Sequence, residues 1–233
     1  MKIAIIPARG GSKRIPKKNI KLFSGAPMIS YPIKAAISSL LFDHIIVSTD
    51  CKNIKSVAEK YGAKAPFIRP ECLSDDYAGT GAVVNHAINW FKQYVAEPDL
   101  VCCIYPTSPF LRRSDLNEGL IRLNNDPTKS FSFSVARYAF PIQRALTFDG
   151  NDNLSMLFPV HAGTRSQDLK EVFHDAGQFY WGRTQAFLNN TPTFGPDSIP
   201  VFLPRNRVMD IDDEEDWQEA ELMYELLQMK GLV

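Results

Sequence analysis

Three short apolar runs, Ile3–Pro7, Ile45–Ser48 and Leu100–Ile104, each end abruptly at a loop, and helical periodicity fills the chain between them at Met28–Leu40, Ile54–Tyr61 and Val83–Tyr94. Unalternated apolar strands separated by amphipathic helices are the pattern of βαβ units. They predict an α/β fold in which a parallel sheet is covered on both faces. Ligands of such sheets sit outside the carboxyl ends of the strands, so the loops Pro7–Asn19, Ser48–Cys51 and Tyr105–Arg113 are expected to share one site.

The rhythm breaks after Phe131–Val135. Residues 136–177 carry scattered aromatics, turn residues and a polar cluster, and read as a lobe of hairpins and loops inserted into a single domain spanning 1–233. Strand character returns at Gln178–Trp181 and Ile199–Leu203, and an amphipathic helix is expected over Glu214–Met229. Pro27 and Pro32 are tolerable at a helix start.

The charge is polarised. Arg9, Lys13, Arg14, Lys17, Lys18 and Lys21 fall within one loop after the first strand, and no acidic residue precedes Asp43. Between Asp210 and Glu225 there are nine acidic residues and no Lys or Arg, so the formal net charge is zero. That balance argues against bulk nucleic-acid binding and for a polyanion held between a basic wall and a cation on an acidic one. Glycines in the loop let backbone approach an oxyanion, while Lys and Arg supply charge-assisted hydrogen bonds. Neither GxxxxGK[ST] nor GxGxxG occurs, which removes two common phosphate-binding patterns.

Asp210 and Asp212 stand two apart, so in extended chain both carboxylates share a face while Ile211 packs inward. Hard oxygen ligands of this kind suit Mg²⁺. Capping of the following helix accounts for Asp213 to Asp216 but leaves Asp210 unexplained. Cys51, Cys72, Cys102 and Cys103 form no CxxC pair and read as reduced packing residues. The opening apolar stretch is short for a signal peptide, and no run reaches a membrane span, so a cytoplasmic protein is expected.

Five segments, Arg9–Asn19 (RGGSKRIPKKN), IIVSTD at 45–50, RPECLSDD at 69–76, PTSPFLR at 106–112 and MDIDDEEDW at 209–217, occur in an order that resembles the CMP-sialic acid synthetase (acylneuraminate cytidylyltransferase) family. The resemblance implies a Rossmann-like, doubly wound, mostly parallel sheet of the nucleotide-diphospho-sugar transferase type, with a small inserted dimerisation and sugar-binding lobe. It implies CTP on Arg9, Gly10, Ser12, Lys13, Lys18, Asn19, Arg69, Ala78 and Thr80, with Mg²⁺ on Asp210 and Asp212. Arg9, Lys18, Asp210 and Asp212 are the expected catalytic residues.

RSQDL and HDAGQFYWG resemble the pseudaminic acid cytidylyltransferase branch of that family, which implies transfer of CMP to an acidic nine-carbon keto sugar for bacterial surface or flagellin glycosylation. Arg165, Gln167, Asp168, His174 and Gln178 are then the expected sugar-site residues. Tyr105 joins them, in a place where many relatives carry Gln, whose contact does not carry over. Arg165 offers a fork for a sugar carboxylate. Phe179, Tyr180 and Trp181 present apolar faces to a deoxy sugar, with core packing the better reading of Phe179 and Trp181. A homodimer is implied, with Phe140, Phe148 and Phe158 suiting either an intersubunit face or a local core. Legionaminic or N-acetylneuraminic acid as the sugar, or a noncatalytic nucleotide-binding regulator, remain alternatives.

Overall fold

The computed structural model describes residues 1–151 and 153–232. Among these, strand β1 (Lys2–Pro7) feeds the basic loop, and a two-stranded hairpin of β2 (Leu22–Phe23) and β3 (Ala26–Pro27) follows it. Next come α1 (Ser30–Ser39), β4 (His44–Ser48), α2 (Lys52–Lys60), α3 (Thr80–Tyr94), β5 (Leu100–Ile104), α4 (Arg113–Asn125) and β6 (Phe131–Arg137). The lobe holds β7 (Leu146–Phe148) and β8 (Leu154–Met156). The chain ends with β9 (Phe173–Arg183), α5 (Thr184–Leu188), β10 (Ser198–Leu203) and α6 (Glu214–Met229).

The main sheet runs β10-β6-β9-β5-β1-β4. β1 pairs in parallel with β4 and β5, and β10 with β6, while β9 is antiparallel to both neighbours. The parallel expectation therefore holds for five strands and fails for β9. Apolar side chains of β1 pack on both faces: Ala4 and Ile6 join α1, α2 and α4 on one side, and Ile3 and Ile5 join α3 on the other. This two-sided burial is why these strands read as continuous apolar runs.

Two boundaries differ from expectation. The inserted lobe is shorter than 136–177, because Ala136 and Arg137 complete β6 and Phe173–Gly177 belong to β9. Helix α4 is absent from the sequence reading, since Arg113, Asn117, Glu118 and Gly119 dilute its apolar stripe of Leu116, Leu120 and Leu123. Gly119 has a packing reason: a Cβ there would lie 2.8 Å from the rings of Phe179 and Trp181. Both rings are fully buried, as expected of core residues. Gly119→Ala is expected to destabilise the fold by about 1–2 kcal/mol, overpacking outweighing the helix-propensity gain. The urea midpoint reads this; a midpoint above wild type refutes it.

A third cluster decides where the charged poles meet. Ile15 of the basic loop, Ile211 of the acidic segment and Trp217 of α6 are all buried in one group with Phe23, Met28 and Phe110. Burying Ile15 and Ile211 together draws the two oppositely charged segments to the same end of the sheet. Phe23 sits edge-on to Tyr31, Trp217 and Tyr224 at 5.5 Å, geometry favourable for aromatic quadrupoles.

Candidate active site

A cavity of about 570 Å³ opens at the carboxyl ends of β1 and β5. Arg9, Ser12, Lys13, Arg14, Lys18 and Asn19 line one wall, and Arg69, Asp75, Asp76, Ala78 and Thr80 another. Tyr105 and Asp212 complete it. The expected nucleotide residues are thus brought together, apart from Gly10, whose backbone N–H donates to Asp50 Oδ1 at 2.8 Å. A Cβ on Gly10 would approach Cys51 Cβ to 2.9 Å, so the loop passes too close to α2 for a side chain.

Asn19 is a scaffold residue. Its buried amide donates to the Arg9 carbonyl at 2.9 Å and fixes the curl of the loop. Arg9 donates to Asp76 Oδ1 at 2.7 Å and to the Asp75 carbonyl at 2.9 Å, and Lys13 pairs with the other Asp76 oxygen. Lys13 first, then Arg9, holds the Asp76 carboxyl below its ordinary range. Arg69 is buried at 4% exposure, with Asp50 at 3.9 Å and the Ser74 hydroxyl accepting from Nε at 3.2 Å. Burial lowers its pKa, which Asp50 partly offsets.

On the opposite side, Arg14 pairs with Asp212 at 2.8 Å, and Lys18 lies 3.6 Å from Asp212 while donating to the Ile211 carbonyl. Desolvation lowers the Lys18 pKa against the attraction of Asp212 and Asp210. Desolvation and the like charge of Asp212 raise the Asp210 carboxyl. Ile211 is buried between them, as the i, i+2 reading requires. Asp213 caps α6, accepting from Glu215 N at 2.9 Å and Asp216 N at 3.0 Å, and Asp216 in turn accepts from Asp212 N and Asp213 N. Capping therefore uses Asp213 and Asp216; Asp212 lines the cavity, paired with Arg14 and Lys18, whereas Asp210 stands exposed just outside the lining residues.

A second cavity of about 410 Å³ adjoins the first and shares Thr80 and Tyr105 with it. Phe131, Tyr180, Phe187 and Phe194 give it aromatic walls, and Asp175, Asn190, Thr191 and Thr193 give it polar points. The Tyr105 hydroxyl, 3.4 Å from that of Thr80, stands at the junction.

Apart from Tyr105, the expected sugar residues are not gathered there. Arg165 pairs with Asp168 at 2.7 Å, and with Gln167 they are exposed on the lobe. The His174 ring lies edge-on to Tyr138, with Nδ1 at the Asp175 carbonyl. Gln178 is buried and donates to the Arg207 carbonyl. Phe140, Phe148 and Phe158 are exposed, as are Leu154 and Val160 of the same lobe, so they form no local core. Cys102 and Cys103 are buried packing residues, whereas Cys72 is exposed and Cys51 half-buried.

Arg14, Asp50, Asp76 and Asp175 are site residues beyond those expected, whereas Tyr180 lines the second cavity as its expected apolar face requires. Asp50 and Asp76 lie inside motifs, and the loop groups they hold, Gly10 and Arg9, are 40 and 67 positions away in the chain, which no local pattern reveals.

A cytidylyltransferase family profile matches residues 3–230. The chain is 44% identical over 224 residues to a pseudaminic acid cytidylyltransferase of Campylobacter jejuni serotype O:2, covering 96% of each chain. It is 32% identical to a CMP-N,N'-diacetyllegionaminic acid synthase of Legionella pneumophila, covering 97% of each. Among solved structures, CMP:2-keto-3-deoxy-manno-octonic acid synthetase complexed with CTP superposes with a TM-score of 0.69 at 16% identity, over 97% of this chain and 98% of that one, a likeness of fold. With the fold, the paired cavities and a match along nearly its whole length, the chain belongs to the cytidylyltransferase family.

Proposed function

We propose that the protein activates pseudaminic acid, CTP + pseudaminic acid → CMP-pseudaminic acid + diphosphate. The observation that carries the reaction is the meeting of Arg9, Lys13, Arg14 and Lys18 with Asp212 in one cavity that opens onto an aromatic-walled second one. The sugar rests on the 44% identity to a pseudaminic acid enzyme, against 32% to a legionaminic one.

In this reading CTP lies in the first cavity with its base toward Arg69, Ala78 and Thr80. Its phosphates displace Asp76 and Asp212 from the loop cations. The anomeric hydroxyl of the sugar attacks the α-phosphorus and diphosphate leaves. Such transfer asks for positioning and charge neutralisation. Lys18 is the best placed cation, because it is partly removed from water yet flanked by carboxylates.

Asp210 and Asp212 fit a hard divalent cation. Their side chains are spared from capping and stand on either side of the buried Ile211, and desolvation and then the charge of Asp212 raise the Asp210 carboxyl, a repulsion that a cation would relieve. Bound there, Mg²⁺ would neutralise phosphate charge and acidify the attacking hydroxyl.

The exposed apolar face of the lobe supports a homodimer, in which Arg165 and His174 would complete the partner's sugar site. The four free cysteines suit the cytoplasm. Among the described residues no helix is long and apolar enough to cross a membrane.

The test is diphosphate release from CTP and Mg²⁺ with pseudaminic, legionaminic and N-acetylneuraminic acids in parallel. Highest kcat/KM with pseudaminic acid is expected. Preference for legionaminic acid would reassign the sugar, and no release with any sugar would leave a nucleotide-binding regulator.

A further inference from the structure

The β6–β9 ladder is irregular at one place. From Phe133 to Val135, β6 advances two residues, while their partners on β9 run from Tyr180 back to Asp175, five residues. The three surplus residues are absorbed at Gly177, which takes a left-handed φ of 61°. The buried Ser134 hydroxyl accepts from the Gln178 and Phe179 N–H groups, each at 3.3 Å, replacing ladder partners that the bulge removes.

The parity of that insertion matters. In a regular strand, residues five apart face opposite sides of the sheet. An odd surplus reverses this, and Asp175 and Tyr180 line the same cavity. Bulges that re-aim a side chain in this way recur beside functional sites. The Tyr180 hydroxyl donates to Asp175 Oδ2, and the Gly177 N–H donates to Oδ1 at 3.0 Å. Each carboxylate oxygen keeps accepting capacity, and Asp175 is an exposed residue.

Asp175 is also the one charged residue lining the second cavity among those described. The cations all lie in the first. An acidic sugar entering this pair of cavities is repelled by Asp175 at its carboxylate end and drawn by the cations there. Its far end then meets an acceptor-only carboxylate among the faces of Tyr180, Phe187 and Phe194. That combination suits a substituent with an N–H donor and an apolar tail, which is the chemistry of an acylamido group.

We propose that Asp175, re-aimed by the bulge at Gly177, is a specificity-determining residue that accepts the N–H of an acylamido substituent on the sugar and sets its direction across the two cavities. This deepens the proposed function and rests on it. Wild-type turnover of pseudaminic acid tests that reading, and the variants test this one.

Asp175→Ala is expected to raise the sugar KM about tenfold or more, as loss of a charge-assisted hydrogen bond does, while the CTP KM stays within about twofold. Asp175→Asn, of the same size, guards against a folding defect and should shift the sugar KM in the same direction. The ratio of kcat/KM for pseudaminic over N-acetylneuraminic acid should fall in both variants, since the latter presents hydroxyls where the former has acylamido or deoxy positions. A sugar KM and ratio like wild type in the Asn variant would overturn the proposal, as would equal losses for CTP and sugar. A wild-type enzyme inactive with every acylamido sugar would instead defeat the proposed function.

Discussion

Lys18→Ala is expected to lower kcat/KM for CTP by about 10²–10³, the usual loss when a preorganised donor at a developing oxyanion is removed. Lys18 earns this rank by burial. Its side chain is 16% exposed against 79% for Lys13 and 68% for Arg14, so its charge acts through less water. The ammonium is oriented by the Ile211 carbonyl and faces Asp212. Steady-state kinetics with CTP varied at saturating sugar would show the loss. A CTP dependence unchanged from wild type would remove the triphosphate role. Lys13→Ala should cost less, because a well-solvated ammonium contributes little.

Asp210→Asn is expected to reduce turnover by about 10³ or more in millimolar Mg²⁺, several kcal/mol of charge stabilisation being at stake. The fold should not suffer. Asp210 forms no ion pair among the described residues, and partial desolvation together with the charge of Asp212 raises its carboxyl. A carboxyl raised above its unfolded pKa costs stability once ionised, so the amide should melt at the same temperature or slightly higher. Near-normal product formation by this variant would refute the metal assignment. Asp212→Asn is a less clean probe, because it also releases Arg14 and Lys18.

Strands with two buried faces announced themselves, since nothing polar interrupts Ile3–Pro7 or Leu100–Ile104. The basic loop and the acidic pair were legible for the opposite reason, a local density of one charge. What stayed hidden depended on distant partners. Gly119 looks like a helix breaker until the rings of Phe179 and Trp181 are beside it. Asp76 looks like one acid of a pair until Arg9 and Lys13 reach it from the other wall. Gln178 reads as a recognition group, yet within the chain it is buried against the Arg207 carbonyl, and the bulge at Gly177 brings Asp175 and Tyr180 to one cavity instead. A residue's side of a strand is set by counting, and one unseen irregularity changes every count beyond it.

The antiparallel β9 lies between two parallel pieces of sheet and joins them. Its partners on β5 lie some eighty positions earlier in the chain, Leu100 opposite Arg183 and Ile104 opposite Phe179. Closing so large a loop is slow, and its entropic cost falls before the strand's contacts are made. The basic loop, by contrast, follows a strand that pairs with β4 only about forty residues away. During folding the sugar cavity exists only once β9 has docked, and the phosphate-binding wall, though its strand pairs early, is completed only when Ile211 and Trp217 from the far end of the chain bury Ile15.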